Sequence, residues 1–288
     1  VVTSVPRHDF PVAQTKEDMP GLLESTGRVL SRLEGSEMSR SRALDSALTV
    51  AYASCAIDPV AGQFETWEAW VTALQVGCGL FDAAVASEGP VPCRVGSKGE
   101  VVNLPATGPT SYTHAGAWVT TVYLAVICRD NERLERLMNV PVSLLRESGA
   151  VFDEYMYSWV ETFQSLFHGR DDLGEKLQAA FHGTDPQVLS VGDTETTLKL
   201  FYPPINLFYR YVKRDAAEFN EALAEALDWH KQYWTADEAR SLSGDGLVAL
   251  GPLAMACMAL DNDFPVEVES EYLPKHLLKR SWVGEYEA

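Results

Sequence analysis

The residues of this chain with chemical potential are a few acids and one small aromatic–amide set. Glu65 and Glu68 stand about one helical turn apart. Paired carboxylates carry acid–base chemistry when burial drives their pKa values apart. Asn206, Tyr209 and Arg210 follow the double proline Pro203-Pro204, and His230 falls on an apolar helical stripe. Glu65, Glu68, Asn206, Tyr209 and His230 would suit an internal pocket acting on a small molecule. Each also has a structural reading, and that reading is favoured. Glu65/Glu68 and Asp153/Glu154 read as solvated helix faces, and Glu267/Glu269/Glu271 as a negatively charged edge. His114 and His230 lie on apolar helical faces, where a histidine is usually a hydrogen-bonded core residue. Asn206 can satisfy carbonyls freed at a proline kink. No catalytic residue is therefore expected.

No metal or cofactor is expected either. His8, His114, His168, His182, His230 and His276 never fall into metal-ligand spacing. There is no P-loop, and Gly244, Gly246 and Gly251 follow no strand that would make them a dinucleotide loop. Val95-Gly96-Ser97-Lys98-Gly99 lacks the first glycine of a nucleophile elbow. The five cysteines, Cys55, Cys78, Cys93, Cys128 and Cys257, have no recurring spacing and read as buried thiols of a reducing compartment. Neither a signal peptide nor a stretch of transmembrane length is evident, so a cytoplasmic protein without membrane contact is expected. With 41 acidic against 23 basic residues the net charge is -18, which argues against nucleic acid and permits a basic partner.

The elements that must position these groups read as helices. The 288 residues, 46% hydrophobic, suffice for one sizeable core, and no linker divides them. Residues 1–14 read as an extended arm, because Pro6 and Pro11 oppose helix. Residues 18–33 read as a helix with Leu22, Leu23, Val29, Leu30 and Leu33 inward, followed by one starting at Ser36 or Ser39. Phe64–Val85 is the strongest amphipathic segment: Trp67, Trp70, Val71, Leu74, Cys78 and Phe81 share one face. Residues 88–109 break the pattern, and Val91–Val95 and Glu100–Leu104 read as a β-hairpin turning at Gly96-Ser97-Lys98-Gly99.

Residues 201–234 read as helix, break, helix. Pro203-Pro204 should stop or kink the chain. Asp215 with Glu218 forms a capping box, and Thr235 with Glu238 a second. In the helix between them Phe219, Leu223, Leu227 and His230 or Trp234 face inward while Glu218, Glu221, Glu225 and Asp228 face elsewhere. The expected fold is all-α, a single domain with one small hairpin near 91–104.

Seven segments carry a resemblance. They are Arg7–Pro11, Glu65–Ala73, Ala106–Pro109, Tyr202–Arg210, His230–Asp237, Gly251–Ala254 and Tyr272–Leu278. In this order they resemble the immunity 49 family of bacterial polymorphic-toxin systems, across nearly the whole chain. The resemblance implies a mostly helical protein that protects its producer by binding a co-encoded toxin. It implies no catalytic residue. Taken with the acidity, it points to partner contacts by Glu218, Glu221, Glu225, Glu267, Glu269 and Glu271, anchored by the aromatics Tyr233 and Tyr272. A small-molecule substrate enters only under the enzyme alternative.

Overall fold

The computed structural model describes residues 2–96 and 98–284. Val1 of the expected arm and Ser97 of the expected turn lie outside the described residues. The fold is all-α with small β elements.

The arm ends sooner than its prolines suggest. After a short strand β1 (Thr3–Ser4), helix α1 (Val12–Leu30) begins directly behind Pro11. Residues 12–14 are thus helical, and Pro20 lies inside the helix. Pro20 is exposed, as is Lys16, whose carbonyl loses its helical donor there, so water can take the missing bond. Helix α2 (Glu37–Ile57) is capped by Ser36, whose hydroxyl accepts from Ser39 N–H at 3.1 Å. At the next turn Asp58 Oδ2 accepts from Gln63 N–H and Thr66 Oγ1, both at 2.9 Å.

Helix α3 (Phe64–Val85) is the buried centre, with Trp67, Trp70, Val71, Leu74, Cys78 and Phe81 all in the core. It packs on α2, on the antiparallel hairpin β2 (Val91–Val95) and β3 (Glu100–Leu104), and on α4 (Ala115–Cys128). The hairpin docks closely: a Cβ added at Gly79 of α3 would lie 2.2 Å from Cys93 Sγ. His114 is not on an apolar helical face. It is the N-cap of α4, and its Nδ1 accepts from Ala117 N–H at 3.1 Å.

Helices α5 (Asn131–Met138), α6 (Val142–Arg146), α7 (Glu154–His168) and α8 (Leu173–His182) follow, with α7 against both α4 and α8. The solvated-face reading of Asp153 and Glu154 fails for Asp153, which is buried. Its carboxylate accepts from Ser190 N–H at 2.7 Å, Ser190 Oγ at 2.8 Å and Gly192 N–H at 2.7 Å. Burial opposes the charge, but these bonds outweigh it and hold the carboxyl below its ordinary range. Glu154 is exposed and grips Arg146 with both oxygens.

The double proline does not break the chain. A short α9 (Thr194–Thr196), a π turn (Thr197–Phe201) and α10 (Tyr202–Val212) form one continuous helical run. A proline ring collides with the carbonyl four residues back. The π turn, in which Tyr202 N–H donates to Thr197 O, resets that spacing just before Pro203 and Pro204. Both prolines are buried, and Pro204 lies against α13 (Leu250–Asp261). A Cβ at Gly251 would come 2.4 Å from Pro204 Cγ. The prolines thus provide a flat packing surface rather than an angle between helices.

The turn between α10 and α11 (Ala216–Trp234) lies at 213–215, where Asp215 caps α11 through Glu218 N–H at 3.0 Å. The Glu218 side chain pairs with Arg210 instead of closing the box. Thr235 starts no helix: its hydroxyl donates back to Lys231 O, and Asp237 caps α12 (Glu238–Ser241). By length and hydropathy Gly244–Asp261 is apolar enough to cross a membrane, contrary to the expectation that no stretch is. It is divided into a 3-10 turn (Gly244–Leu247) and α13, and is 67% buried as a core segment. Strand β4 (Val268–Glu269) pairs in parallel with β1, and α14 (Lys275–Leu278) closes the described chain.

Candidate functional site

The acids of α11 lie opposite its apolar stripe. On α11, Glu218, Glu221, Glu225 and Asp228 are exposed while Phe219, Leu223, Leu227 and His230 are buried. Period-3.6 geometry separates the two sets. The strand region beside α11 alternates, with Glu267, Glu269 and Glu271 outward and Val268 buried. Asn220 of α11 ties the two segments together. Its Nδ2 donates to Pro265 O at 2.9 Å, and its Oδ1 accepts from Glu267 N–H at 2.6 Å. Among the described residues Glu221, Glu225, Glu267 and Glu269 have no ion-pair partner, whereas Glu271 lies 3.5 Å from Arg7.

The two aromatic anchors fare differently. Tyr233 is half-buried at the end of α11, with the Arg240 guanidinium 4.2 Å from its ring centroid. Tyr272 is fully buried and is no surface anchor. Its hydroxyl meets His8 Nδ1 at 2.7 Å and accepts from His8 N–H at 3.1 Å, so it fastens the N-terminal arm. The strand period carried the signal: Tyr272 has the parity of buried Val268, opposite to the glutamates.

The five residues of the enzyme alternative do not converge. Glu65 and Glu68 line a cleft between α1, α2, α3 and the hairpin, and no residue of α10 or α11 lines it. Asn206 is buried elsewhere, and its Oδ1 has no hydrogen-bond partner among the described residues. Tyr209 packs on the Phe181 ring at 5.8 Å. His230 donates from Nε2 to Gly246 O at 2.9 Å and meets the Tyr272 ring edge-on at 4.9 Å. No group of three or more His, Cys, Asp or Glu among the described residues could hold a metal ion. The five cysteines are buried and free, and burial raises Cys55 and Cys257 to about 12.

Burial pushes the His230 imidazole down to about 4, although the bond to Gly246 works the other way. Its folded pKa is thus below the ordinary 6.5, so its contribution is complete above that value and is lost as pH falls toward 4. The expected loss across that window is ~3 kcal/mol. Urea unfolding at pH 7, 5.5 and 4.5 should show a steeper decline in the wild-type chain than in His230→Gln. Equal declines would show that the imidazole titrates freely.

The cleft is what the sequence reading missed. Leu23, expected inward, is 53% exposed, whereas Leu22, Val29 and Leu30 pack against the core as α1 lies along α2. A glycine at position 27 inside α1 was the available signal.

The family model described as Immunity protein 49 matches residues 58–277. The chain belongs to the Immunity protein 49 family. No curated protein and no solved structure matches it. Two of the segments that carry the family resemblance, around Pro203-Pro204 and Gly251-Pro252, press directly on one another. They serve packing, as does His230.

Proposed function

We propose that this Immunity protein 49 member neutralises a co-encoded bacterial toxin in the cytoplasm by binding a positively charged region of it. The binding face is the outer row of α11 with the strand segment 267–271. The observation that carries the reading is the joining of two exposed carboxylate rows by Asn220, with Glu221, Glu225, Glu267 and Glu269 lacking ion partners among the described residues. A net charge of -18 extends the attraction beyond the contact itself. Tyr233 borders this face as its aromatic member, and Glu218 and Glu271 stand at its edges, already paired to Arg210 and Arg7. The role requires no cofactor, metal or nucleic acid.

Complementary charge accelerates encounter more than it slows dissociation. Co-expression with the neighbouring toxin should give a complex whose association rate falls steeply with salt. Glu221→Lys with Glu225→Lys should slow association by about tenfold to a hundredfold at low salt, within the range of electrostatic steering. The melting temperature should hold, because both side chains are exposed. Salt-insensitive association would remove this face while leaving the binding role. Absence of both complex and protection would remove the role.

A further inference from the structure

The cleft between α1, α2, α3 and the hairpin encloses about 700 Å³, within the range of small-molecule sites. Its walls are largely aliphatic, including Leu23, Leu30, Val50, Ile57, Val95 and Val102. It is elongated: the lining on α1 runs from Met19 to Ser31, roughly 18 Å at 1.5 Å per residue. The charged lining is unbalanced, with Asp58, Glu65 and Glu100 against Lys98, while Glu68 is already engaged within the protein. Asp58 and Gln63 are bonded to each other at the α2–α3 turn, so Glu65 marks a polar end of the cleft. Gly27 lines the cleft inside α1, where glycine costs about 1 kcal/mol relative to alanine. No atom lies within 4 Å of where its Cβ would stand.

We propose that this cleft binds a linear aliphatic ligand ending in a cationic group. The chain lies along α1 and α2, and the cation sits at the Glu65 end. Aliphatic walls favour an unbranched hydrocarbon, each buried methylene adding to affinity. The excess of acid over base, with Glu65 exposed at the cleft's end, selects a cation over a carboxylate of the same length. Open space over Gly27 leaves room for the chain where any larger side chain would stand. The site lies apart from the α11 face and does not depend on toxin binding.

The test is calorimetric titration of the full chain with dodecylamine and with dodecanoic acid, both below the concentrations at which they aggregate. The amine should bind more tightly by at least about tenfold. Gly27→Trp should weaken amine binding by about tenfold or more, with helix content and melting temperature unchanged. Gly27→Leu gives the same readout with a smaller plug. Glu65→Lys, at an exposed position, should erase the preference for the amine. Equal binding of amine and acid would overturn the cationic end. Full affinity in both Gly27 variants, or no binding of either ligand to the wild-type chain, would overturn the site.

Discussion

Arg129→Met should destabilise the protein by about 3 kcal/mol, because a buried guanidinium that bonds several backbone carbonyls and the part-exposed Asp261 is lost. Arg129 sits just past α4 in the left-handed region, at φ 56°. Its side chain, 7% exposed, turns back into the body. Nε donates to Asp261 Oδ2 at 2.8 Å. Nη1 donates to Ile127 O at 2.7 Å and Leu277 O at 2.6 Å, and Nη2 to Leu278 O at 2.7 Å. One guanidinium thus pins the ends of α4, α13 and α14. The Leu277 and Leu278 carbonyls belong to the last turn of α14, where a cation is favoured, although Leu277 O also accepts from Arg280 N–H at 3.3 Å. Methionine fills much of the volume but takes the guanidinium donors away from the Ile127 and Leu278 carbonyls. Lysine keeps the charge without the fork, so Arg129→Lys should recover only part of the loss. Urea unfolding of the three proteins reads this directly. A loss under 1 kcal/mol in Arg129→Met would show that water replaces the guanidinium.

The readable parts of this fold were those set by local chemistry. Phe64–Val85 and both hairpin strands stand where periodicity placed them, because each carries a long unbroken pattern between strong stop signals. Ser36 and Asp215 cap as expected, since a cap needs only its own first turn. What failed depended on distant partners. The π turn before Pro203 is held by packing of α10 on α13, which no local rule contains. Asp153 looks like one of many surface acids until the 190–192 loop folds over it. The pairing of Thr3 with Val268 joins the two ends of the chain.

The candidate site divides the same way. Exposure of Glu221 and Glu225 follows from helical period alone. Their union with Glu267 depends on Asn220, an ordinary residue in the sequence. Burial of Tyr272 could be read from strand parity, but its partner His8 lies at the far end of the chain. The cleft needed three helices and a hairpin before any of its walls existed.

Trp159→Ala should also cost about 3–5 kcal/mol, through a cavity that the rigid surroundings cannot close. Trp159 is 2% exposed in α7. Its ring meets Phe163 at 4.5 Å and Phe208 of α10 at 5.5 Å. Its Nε1 donates to the Tyr123 hydroxyl of α4 at 2.9 Å. It therefore joins three helices by shape and two of them by a polar bond as well. Alanine removes both. Trp159→Phe should restore much of the packing yet leave the buried Tyr123 hydroxyl without its donor, a loss of about 1–3 kcal/mol. Adding Tyr123→Phe to Trp159→Phe should then be nearly neutral, because an unpaired hydroxyl is removed rather than created. For a chain of this size Trp159→Ala should lower Tm by roughly 10 °C, at about 2–4 °C per kcal/mol. Because α10 packs directly on α11, the variant also separates support from recognition. While it remains folded, its acidic face should bind with unchanged salt dependence. An unchanged melting temperature, with binding lost instead, would make Trp159 a contact residue and reverse its assignment to the core.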